Sequence, residues 1–355
     1  MYGLKTNTVM CLTTAAVVLV AGCRQTQTAR QLPPARQLTN DVVLSYTPVK
    51  SQGTSHFCWI YAMLATIESE HIARGDSVNL SPAYVARMLL RNEAARHYFS
   101  CGSQPIRMRG MCSMLPALLE KNGVVHYDAF EGAEEPNYRV LGRKLAHQAY
   151  LNATRRCGLR QLYSDVDQML DRDIGPVPRK VFMLGAEYTP VEFAHSVCLP
   201  REYVAFTSFT HQPYFRPFVL EVPDNLQGDT FMNLPLALLI QLMERSVRRG
   251  HPVCWEGDIS EAGFSFERGV AVLPDEGTPV TQQTRQRAFE TLQTTDDHAM
   301  AIVGLAHDEA GRKYFIAKNS WGAGNPYGGL MYLSYNYVKQ QTIAVFLSRN
   351  ALEVR

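Results

Sequence analysis

One cysteine stands in a setting that suits a nucleophile. Cys58 follows Gln52 by six residues and opens a run from Trp59 to Arg74 without proline or glycine. Apolar residues recur there at helical spacing, which predicts a helix that begins at Cys58 and is stopped by Gly75. Free N–H groups at a helix start stabilise a thiolate, and the Gln52 amide could reach an oxyanion beside the sulfur. The alternative is a buried structural cysteine.

A histidine and an asparagine supply the groups that a thiol nucleophile requires. His298 opens one predicted strand and Asn319 ends the next, with the turn signal 308–311 between them. Such a hairpin places the two residues within reach of each other. The base takes the thiol proton, and a third group orients the base. Alone, His298 fits an ordinary strand histidine and Asn319 a turn residue. Together with Cys58 and Gln52, they indicate nucleophilic catalysis.

The elements that must position these residues change type along the chain. Ser81 caps a predicted helix that runs from residue 82 to about 96, and a further helix over 113–122 is closed by Gly123. Residues 130–200 give no clear pattern. The predicted strands are 203–206, 218–222, 252–256, 298–304, 313–318, 329–333 and 342–347, with a helix at 234–249 between them. This order predicts an α+β fold, with a helical lobe, an antiparallel β lobe and a cleft between them.

The N-terminal residues predict export. Lys5 precedes an apolar run from Val9 to Val20, which is shorter than the roughly 20 residues that span a bilayer. The run ends in small residues before Cys23, an ending that resembles the lipobox of bacterial lipoproteins. A lipid on Cys23 would anchor the protein to a membrane, in the periplasm or at the cell surface. The alternative is an ordinary cleaved signal peptide.

These observations divide the chain into three parts. Residues 1–22 are predicted as a signal peptide, 23–41 as the lipidated N-terminus and tether, and 42–355 as one catalytic domain with its β lobe mainly from about residue 200. The net charge of +2 gives no reason to expect a nucleic acid partner.

Several motifs resemble the papain superfamily of cysteine peptidases. They are Gln52 with Cys58-Trp59, the pair His298-Ala299, and residues 319–322. The bleomycin hydrolase/aminopeptidase C branch is the more similar part of that superfamily, through residues 121–125, 189–193, 202–207, 249–258 and 296–300. The similarity runs in order from about residue 49 to 347, nearly the whole mature chain.

The resemblance implies a papain-like two-lobe fold and hydrolysis of peptide or protein substrates. No CxxC pattern or His/Cys spacing suggests a zinc site, so no cofactor or metal is expected. Cys58 would be the nucleophile, and His298 the base that later protonates the leaving amine. Asn319 would orient the imidazole, and Gln52 with the Cys58 N–H would form the oxyanion hole. His298 follows Cys58 by about 240 residues, against about 130–150 in papain, so an insertion is implied, as in the bleomycin hydrolase branch.

The same resemblance assigns substrate contacts, and it also shows where this sequence differs from the family pattern. Trp321 would shield the His–Asn hydrogen bond, and Gly110 would line the substrate groove. Arg109 replaces a glycine of the family, while His56 and Phe57 replace small or basic residues before the nucleophile. Bulk at those two positions could narrow the cleft near the scissile bond, and the alternative for His56 is an electrostatic action on the thiolate.

The C-terminal segment departs as well. In the aminopeptidase branch a longer C-terminal arm occupies the cleft and restricts cleavage to free N-termini. Residues 348–355 are short for that role, which puts both the aminopeptidase specificity and the closed hexamer in doubt. We therefore expect relaxed specificity with some endopeptidase action.

Two other functions stay open on the sequence alone. One is a catalytically weak, papain-like binding lipoprotein, and the other is a cell-wall amidase or acyl transferase using the same nucleophile. Five further cysteines follow the signal peptide, and export would permit disulfides, with Cys101 and Cys112 a conceivable pair. The remaining three are Cys157, Cys198 and Cys254.

Overall fold

The structure, a computed structural model, describes residues 38–134, 136–183 and 185–353. Cys23 and the predicted signal peptide lie outside these residues. Within them, no helix is long and apolar enough to cross a membrane. The helices are α1 (Cys58–Ala73), α2 (Pro82–Phe99), α3 (Met114–Asn122), α4 (Tyr138–Thr154), α5 (Gly158–Asp173), α6 (Pro190–Val197), α7 (Leu236–Arg248), α8 (Gln282–Glu290), α9 (Tyr335–Gln341) and α10 (Arg349–Leu352). The strands are β1 (Leu38–Val43), β2 (Val181–Met183), β3 (Ala186–Tyr188), β4 (Tyr203–Thr207), β5 (Pro217–Val219), β6 (Thr230–Asn233), β7 (Val253–Gly257), β8 (Phe264–Ser265), β9 (Val270–Ala271), β10 (His298–Asp308), β11 (Lys313–Lys318), β12 (Leu330–Ser334) and β13 (Thr342–Ser348).

Helix α1 is the central element and begins at Cys58, as predicted. Its side chains are buried on nearly every face, as expected for a helix that is apolar all round. It packs on β10 and β7 of the second lobe and on α2 of the first. Its N-terminal residue is therefore held where the two lobes meet.

The other predicted helices of the first lobe are confirmed. The Ser81 hydroxyl accepts the N–H of Tyr84 at 3.1 Å and caps α2, which continues to Phe99, beyond the predicted end. Helix α3 ends at Gly123, whose φ of +80° suits glycine. A Cβ there would lie 2.4 Å from the carbonyl carbon of Pro190, so this glycine also permits α6 to pack closely.

Residues 130–200, for which the sequence predicts no elements, complete the helical lobe. Helices α4 and α5 pack on α2, and α6 packs on α3. Thr189 and Glu192 form a capping box at the start of α6, with the Thr189 N–H donating to Glu192 Oε2 at 2.7 Å. That pairing is a helix-start signature in the sequence.

The second lobe is built on a mixed, mostly antiparallel sheet in the order β5-β6-β4-β13-β7-β10-β11-β12-β9-β8. The predicted hairpin of β10 and β11 is confirmed, with Ala301 opposite Lys318. Strand β7 flanks β10 on its other side, with Gly257 opposite His298. The predicted α+β fold of a helical lobe followed by a β lobe is therefore confirmed.

Strand β1 corrects the predicted start of the folded domain. It pairs with the far half of β10, Leu38 opposite Asp308, so the fold includes residues before the predicted boundary at 42. Residues 39–41 are Thr-Asn-Asp and are exposed. Because these residues are polar, the segment lacks the alternation of apolar and polar residues that predicts a strand.

Candidate active site

A cavity of about 160 Å³ lies at the start of α1, between the lobes. Among its lining residues are Gln52, Cys58, Gly110, His298 and Trp321. Helix α1 contributes the cysteine, and the sheet contributes the histidine. The structure therefore brings together residues that lie far apart in the sequence.

Asn319 completes this group through a buried hydrogen bond. His298 Nε2 lies 2.8 Å from Asn319 Oδ1, and both side chains are buried. The Ser320 N–H donates to the same oxygen at 2.8 Å, which fixes the amide orientation because a main-chain N–H can only donate. His298 Nε2 must then carry a proton and donate it, so in the neutral imidazole Nδ1 holds the free lone pair.

Aromatic rings cover this histidine. The ring centroid of Trp321 lies 5.0 Å from that of His298. Phe264 and Phe266 contact Trp321 edge-on at 5.7 and 5.4 Å. The cluster keeps water away from the His298–Asn319 hydrogen bond, which strengthens the bond electrostatically.

Gln52 is held by the loop that carries Asn319. Its N–H donates to the Ser320 carbonyl at 2.8 Å, and its side-chain Oε1 accepts from the Ser320 hydroxyl at 2.6 Å. Its Nε2 donates to the Ser55 carbonyl at 2.7 Å, which leaves the second amide proton for the cavity. The sequence analysis gave Ser320 no role, because the pairing of these two loops is a tertiary contact.

The electrostatics of Cys58 differ from the expectation. Burial raises the pKa of the Cys58 thiol to about 12. The main-chain N–H of Ala299 opposes that rise, while the carboxylates of Asp296 and Glu256 add to it. The N–H of Trp59 at the helix start lowers this pKa, as expected, but removal of the sulfur from water outweighs the main-chain N–H groups.

Burial acts on the histidine in the opposite direction. It lowers the pKa of His298 to about 4, and the hydrogen bond to Asn319 offsets only part of this change. Near neutral pH both the imidazole of His298 and the thiol of Cys58 are therefore uncharged. The site thus pairs a protonated thiol with an unprotonated base.

Acidic residues make up another wall of the cavity. We call Asp224, Glu256, Asp296 and Asp297 the acidic pocket; all four line the cavity together with Arg109. Burial raises the pKa of Asp296 to about 7 and that of Asp297 to about 6. Burial and the Asp296 charge raise the pKa of Glu256 as well.

The sequence signals for this pocket are unequal. Glu256 is a charged residue within an apolar strand, which is a usable signal, whereas Asp224 lies in a loop and has none. Among the residues described, no three His, Cys, Asp or Glu side chains are grouped to hold a metal ion.

A buried ion cluster joins the lobes behind the site. Glu68 of α1 accepts from Lys50 at 2.6 Å and lies 3.7 Å from Lys318 Nζ. Lys318 also donates to the Thr47 hydroxyl at 2.7 Å, and burial lowers its pKa to about 8. Because Lys318 directly precedes Asn319, this cluster fixes the end of β11 against α1.

The residues before Cys58 that differ from the family pattern lie in different surroundings. His56 is exposed and lines the cavity. Phe57 is buried and packs edge-on against Tyr138, with centroids 4.8 Å apart, so the expectation that Phe57 narrows the cleft is wrong. Gly110 is buried, and a Cβ there would lie 2.8 Å from Met114 Sδ.

The six cysteines within the described residues are unpaired. Cys101 is exposed, whereas Cys112 is buried with its sulfur 3.2 Å from that of Cys254. The conceivable Cys101–Cys112 pair is therefore not formed. Cys254 lies on β7 of the second lobe, and Cys112 lies in the segment just before α3 of the first lobe. Their contact therefore joins the two lobes.

Comparisons with known proteins agree with this geometry. The model of the Peptidase C1-like family matches residues 159–354, more than half of the chain. Aminopeptidase G of Lactobacillus delbrueckii subsp. lactis is 22% identical over 364 residues, which cover 86% of this chain and 81% of the relative. Aminopeptidase E of Lactobacillus helveticus is 24% identical over 60% of this chain and 56% of its own length.

A solved structure shows the same fold. PepW from Lactobacillus rhamnosis HN001 superposes with a TM-score of 0.68 at 18% identity, covering 90% of this chain and 84% of PepW. The predicted resemblance is confirmed. The chain belongs to the Peptidase C1-like family and is a cysteine peptidase of the papain superfamily, similar to the aminopeptidase C branch.

Proposed function

We propose that this peptidase cleaves peptide bonds through a triad of Cys58, His298 and Asn319 and a thioester acyl-enzyme. The observation that carries the proposal is the 2.8 Å hydrogen bond from His298 Nε2 to Asn319 Oδ1 beside a cavity that Cys58 also lines. It leaves Nδ1 as the basic atom, which is the arrangement that a thiol nucleophile needs.

Acylation begins with proton transfer from Cys58 Sγ to His298 Nδ1. The sulfur attacks the substrate carbonyl carbon, and the carbonyl electrons move to its oxygen. The imidazolium then gives its proton to the amine nitrogen as the C–N bond breaks, leaving a thioester on Cys58. In deacylation His298 takes a proton from water, the hydroxide displaces the thiolate, and the proton returns to the sulfur.

The negative oxygen formed in both steps needs donors in place before the reaction. The second amide proton of Gln52, which the Ser55 carbonyl does not use, and the N–H of Cys58 at the start of α1 would supply them. Gly110 has no side chain and lines the cavity, so a peptide backbone can approach that wall.

Labelling with an epoxide or vinyl-sulfone thiol probe, followed by cleavage of a peptide library, tests the proposal. We expect mass spectrometry to locate the probe on Cys58 and prior labelling to prevent cleavage. Cleavage that persists after full labelling of Cys58 would refute the mechanism.

The acid limb of the pH profile should report His298. Since the imidazole must be unprotonated to accept the thiol proton, we expect kcat/KM to fall as the pH drops through about 4. Asn319→Ala removes a contact that raises this pKa, so its acid limb should move to lower pH. Both profiles require a parallel measurement of the folded fraction at each pH. An acid limb near the ordinary histidine value of about 6.5 would contradict the assignment.

The position of the C-terminal residues supports cleavage within peptide chains. Strand β13 begins at Thr342, opposite Gly257 beside the site, and ends at Ser348, opposite Tyr203. Its seven residues span roughly 20 Å. The Arg349 N–H donates to the Glu202 carbonyl at 2.8 Å, so α10 is held at the end of the sheet remote from His298.

We expect an N-acetylated peptide to be cleaved and removal of residues 353–355 to leave its rate within about twofold. The reason is that α10 lies at the end of the sheet remote from His298. The measurement compares acetylated and free peptides of one sequence with both enzyme forms. Resistance of the acetylated peptide that the truncation relieves would show that the tail closes the cleft. The truncation spares Leu352, which packs on the core of the β lobe.

Membrane anchoring through Cys23 is part of the proposal. Its support is the apolar run from Val9 to Val20, followed by small residues and a cysteine. We expect the mature protein in the membrane fraction, with a diacylated Cys23 as its first residue in mass spectra. Cys23→Ala should abolish lipidation. A soluble product with an unmodified N-terminus would refute the anchor.

A further inference from the structure

Two buried carboxylate oxygens in the acidic pocket have no hydrogen-bond partner. The Glu256 side chain is 1% exposed. Its Oε1 accepts the Cys112 N–H at 2.5 Å, while its Oε2 is unpaired. Asp296 Oδ2 is also buried and unpaired. An unpaired buried carboxylate oxygen is costly, so such a group signals a missing partner.

The arginine of the cavity does not supply that partner. Arg109 Nε donates to Asp224 at 2.8 Å, and its Nη2 lies 2.7 Å from the same carboxylate. Nη2 also donates to the main-chain oxygen of Asp296 at 2.7 Å. The guanidinium thus neutralises Asp224 and bonds to the Asp296 backbone, while Glu256 Oε2 and Asp296 Oδ2 remain without a hydrogen-bond partner.

Space for a substrate group is present beside them. The cavity of about 160 Å³ far exceeds the 10–15 Å³ that one water needs. Cys58 lines the same cavity, so a group bound there belongs to a peptide whose scissile bond lies at the sulfur. The mutual repulsion of Glu256 and Asp296 would be relieved by a positive charge between them.

We propose that the acidic pocket binds a cationic group of the peptide substrate, with Glu256 and Asp296 as its ligands. This ammonium or guanidinium has two sources, the side chain of a lysine or arginine near the scissile bond or the free α-amine of the substrate. The inference rests on the proposed peptidase function and specifies its substrate class. A bound cation also offsets the charges of Glu256 and Asp296, which add to the effect of burial on the pKa of the Cys58 thiol, so binding of the right substrate favours formation of the nucleophile.

The test measures kcat/KM for peptides of one sequence with lysine or norleucine at the first or second position before the cleaved bond. Each peptide is made with a free and an acetylated N-terminus. We expect a cationic peptide to be preferred over its neutral twin by about 10–100-fold, the range for a hydrogen bond to a charged group. Preference for lysine in acetylated peptides identifies the side chain as the ligand. If peptides with a free N-terminus are preferred over their acetylated twins, and lysine and norleucine peptides are cleaved equally well, the ligand is the α-amine.

Two variants connect the preference to the pocket. Glu256→Gln keeps an oxygen for the Cys112 N–H and removes the ionisable carboxyl group, and Asp296→Asn is the corresponding change at the second ligand. Each should reduce the preference about tenfold or more while cleavage of the norleucine peptides persists. Glu120→Gln, an exposed carboxylate on α3, is the matched control and should change neither rate.

Equal cleavage of cationic and neutral peptides by the wild-type protein would overturn the inference. A preference that survives in both pocket variants would also overturn it. Neither result affects the peptidase assignment, whose failure would instead appear as loss of all cleavage and of probe labelling at Cys58.

Discussion

Cys58→Ala is expected to abolish hydrolysis, with a loss on the order of 10⁶-fold, as for removal of the nucleophile from a comparable triad. Alanine fits the space of the cysteine at the start of α1 and leaves Gln52, His298 and Asn319 in place. Without the sulfur no thioester forms, and residual activity can come only from the oxyanion donors and substrate binding. Initial rates on the best library peptide measure the effect.

The other cysteines supply the controls for this experiment. Cys101 and Cys157 are exposed and unpaired, so a thiol probe can reach them without any catalytic activation. Cys101→Ser and Cys157→Ser should keep full activity, and each should lose only the probe label at the substituted position. Undiminished hydrolysis by a folded Cys58→Ala protein would remove this residue from the mechanism and favour another nucleophile.

The first lobe was predictable where local signals are strong. Ser81 before Pro82 marks the start of α2, and Gly123 marks the end of α3, since a cap and a positive φ are properties of a few adjacent residues. Strand β1 was not predictable, because residues 39–41 are polar and its partner β10 lies far along the chain. Register between such distant segments is decided by packing, which a local pattern does not contain.

The site shows the same division. Cys58, His298 and Asn319 were identified because each belongs to a motif with a chemical reason for its residue types. Glu256 and Asp224 gained significance only when the fold placed them at one cavity with Cys58. Ser320 likewise acts through contacts with Gln52, a residue on a distant loop.

The charge state of Cys58 depends on its burial, which the local sequence does not reveal. A helix start favours a thiolate, but that argument holds for a thiol that keeps part of its hydration. At Cys58 the loss of water and the carboxylates of Glu256 and Asp296 outweigh the main-chain N–H groups. The proposed mechanism therefore relies on His298 as the base more than on a preformed thiolate.

His298 and Asn319 should contribute unequally to the rate. His298→Ala removes the group that accepts and returns the proton, and general acid–base catalysis contributes about 10²–10⁴-fold. Asn319→Ala leaves that base in place and removes one hydrogen bond to the imidazolium, which contributes roughly 1.5–3 kcal/mol, or about 10–150-fold in rate. We therefore expect His298→Ala to cost more. Values of kcat/KM on one peptide decide the order.

His307→Ala is the matched control, because His307 lies on the same strand and bonds to Asp41 at the protein surface. It should keep the wild-type rate. Melting curves must accompany Asn319→Ala. Loss of the Asn319 side chain leaves the buried Ser320 N–H and the His298 Nε2 proton without a hydrogen-bond acceptor, which is expected to lower stability. A lower kcat/KM for folded Asn319→Ala than for His298→Ala would contradict the assignment. Asn319 would then do more than orient the imidazole ring.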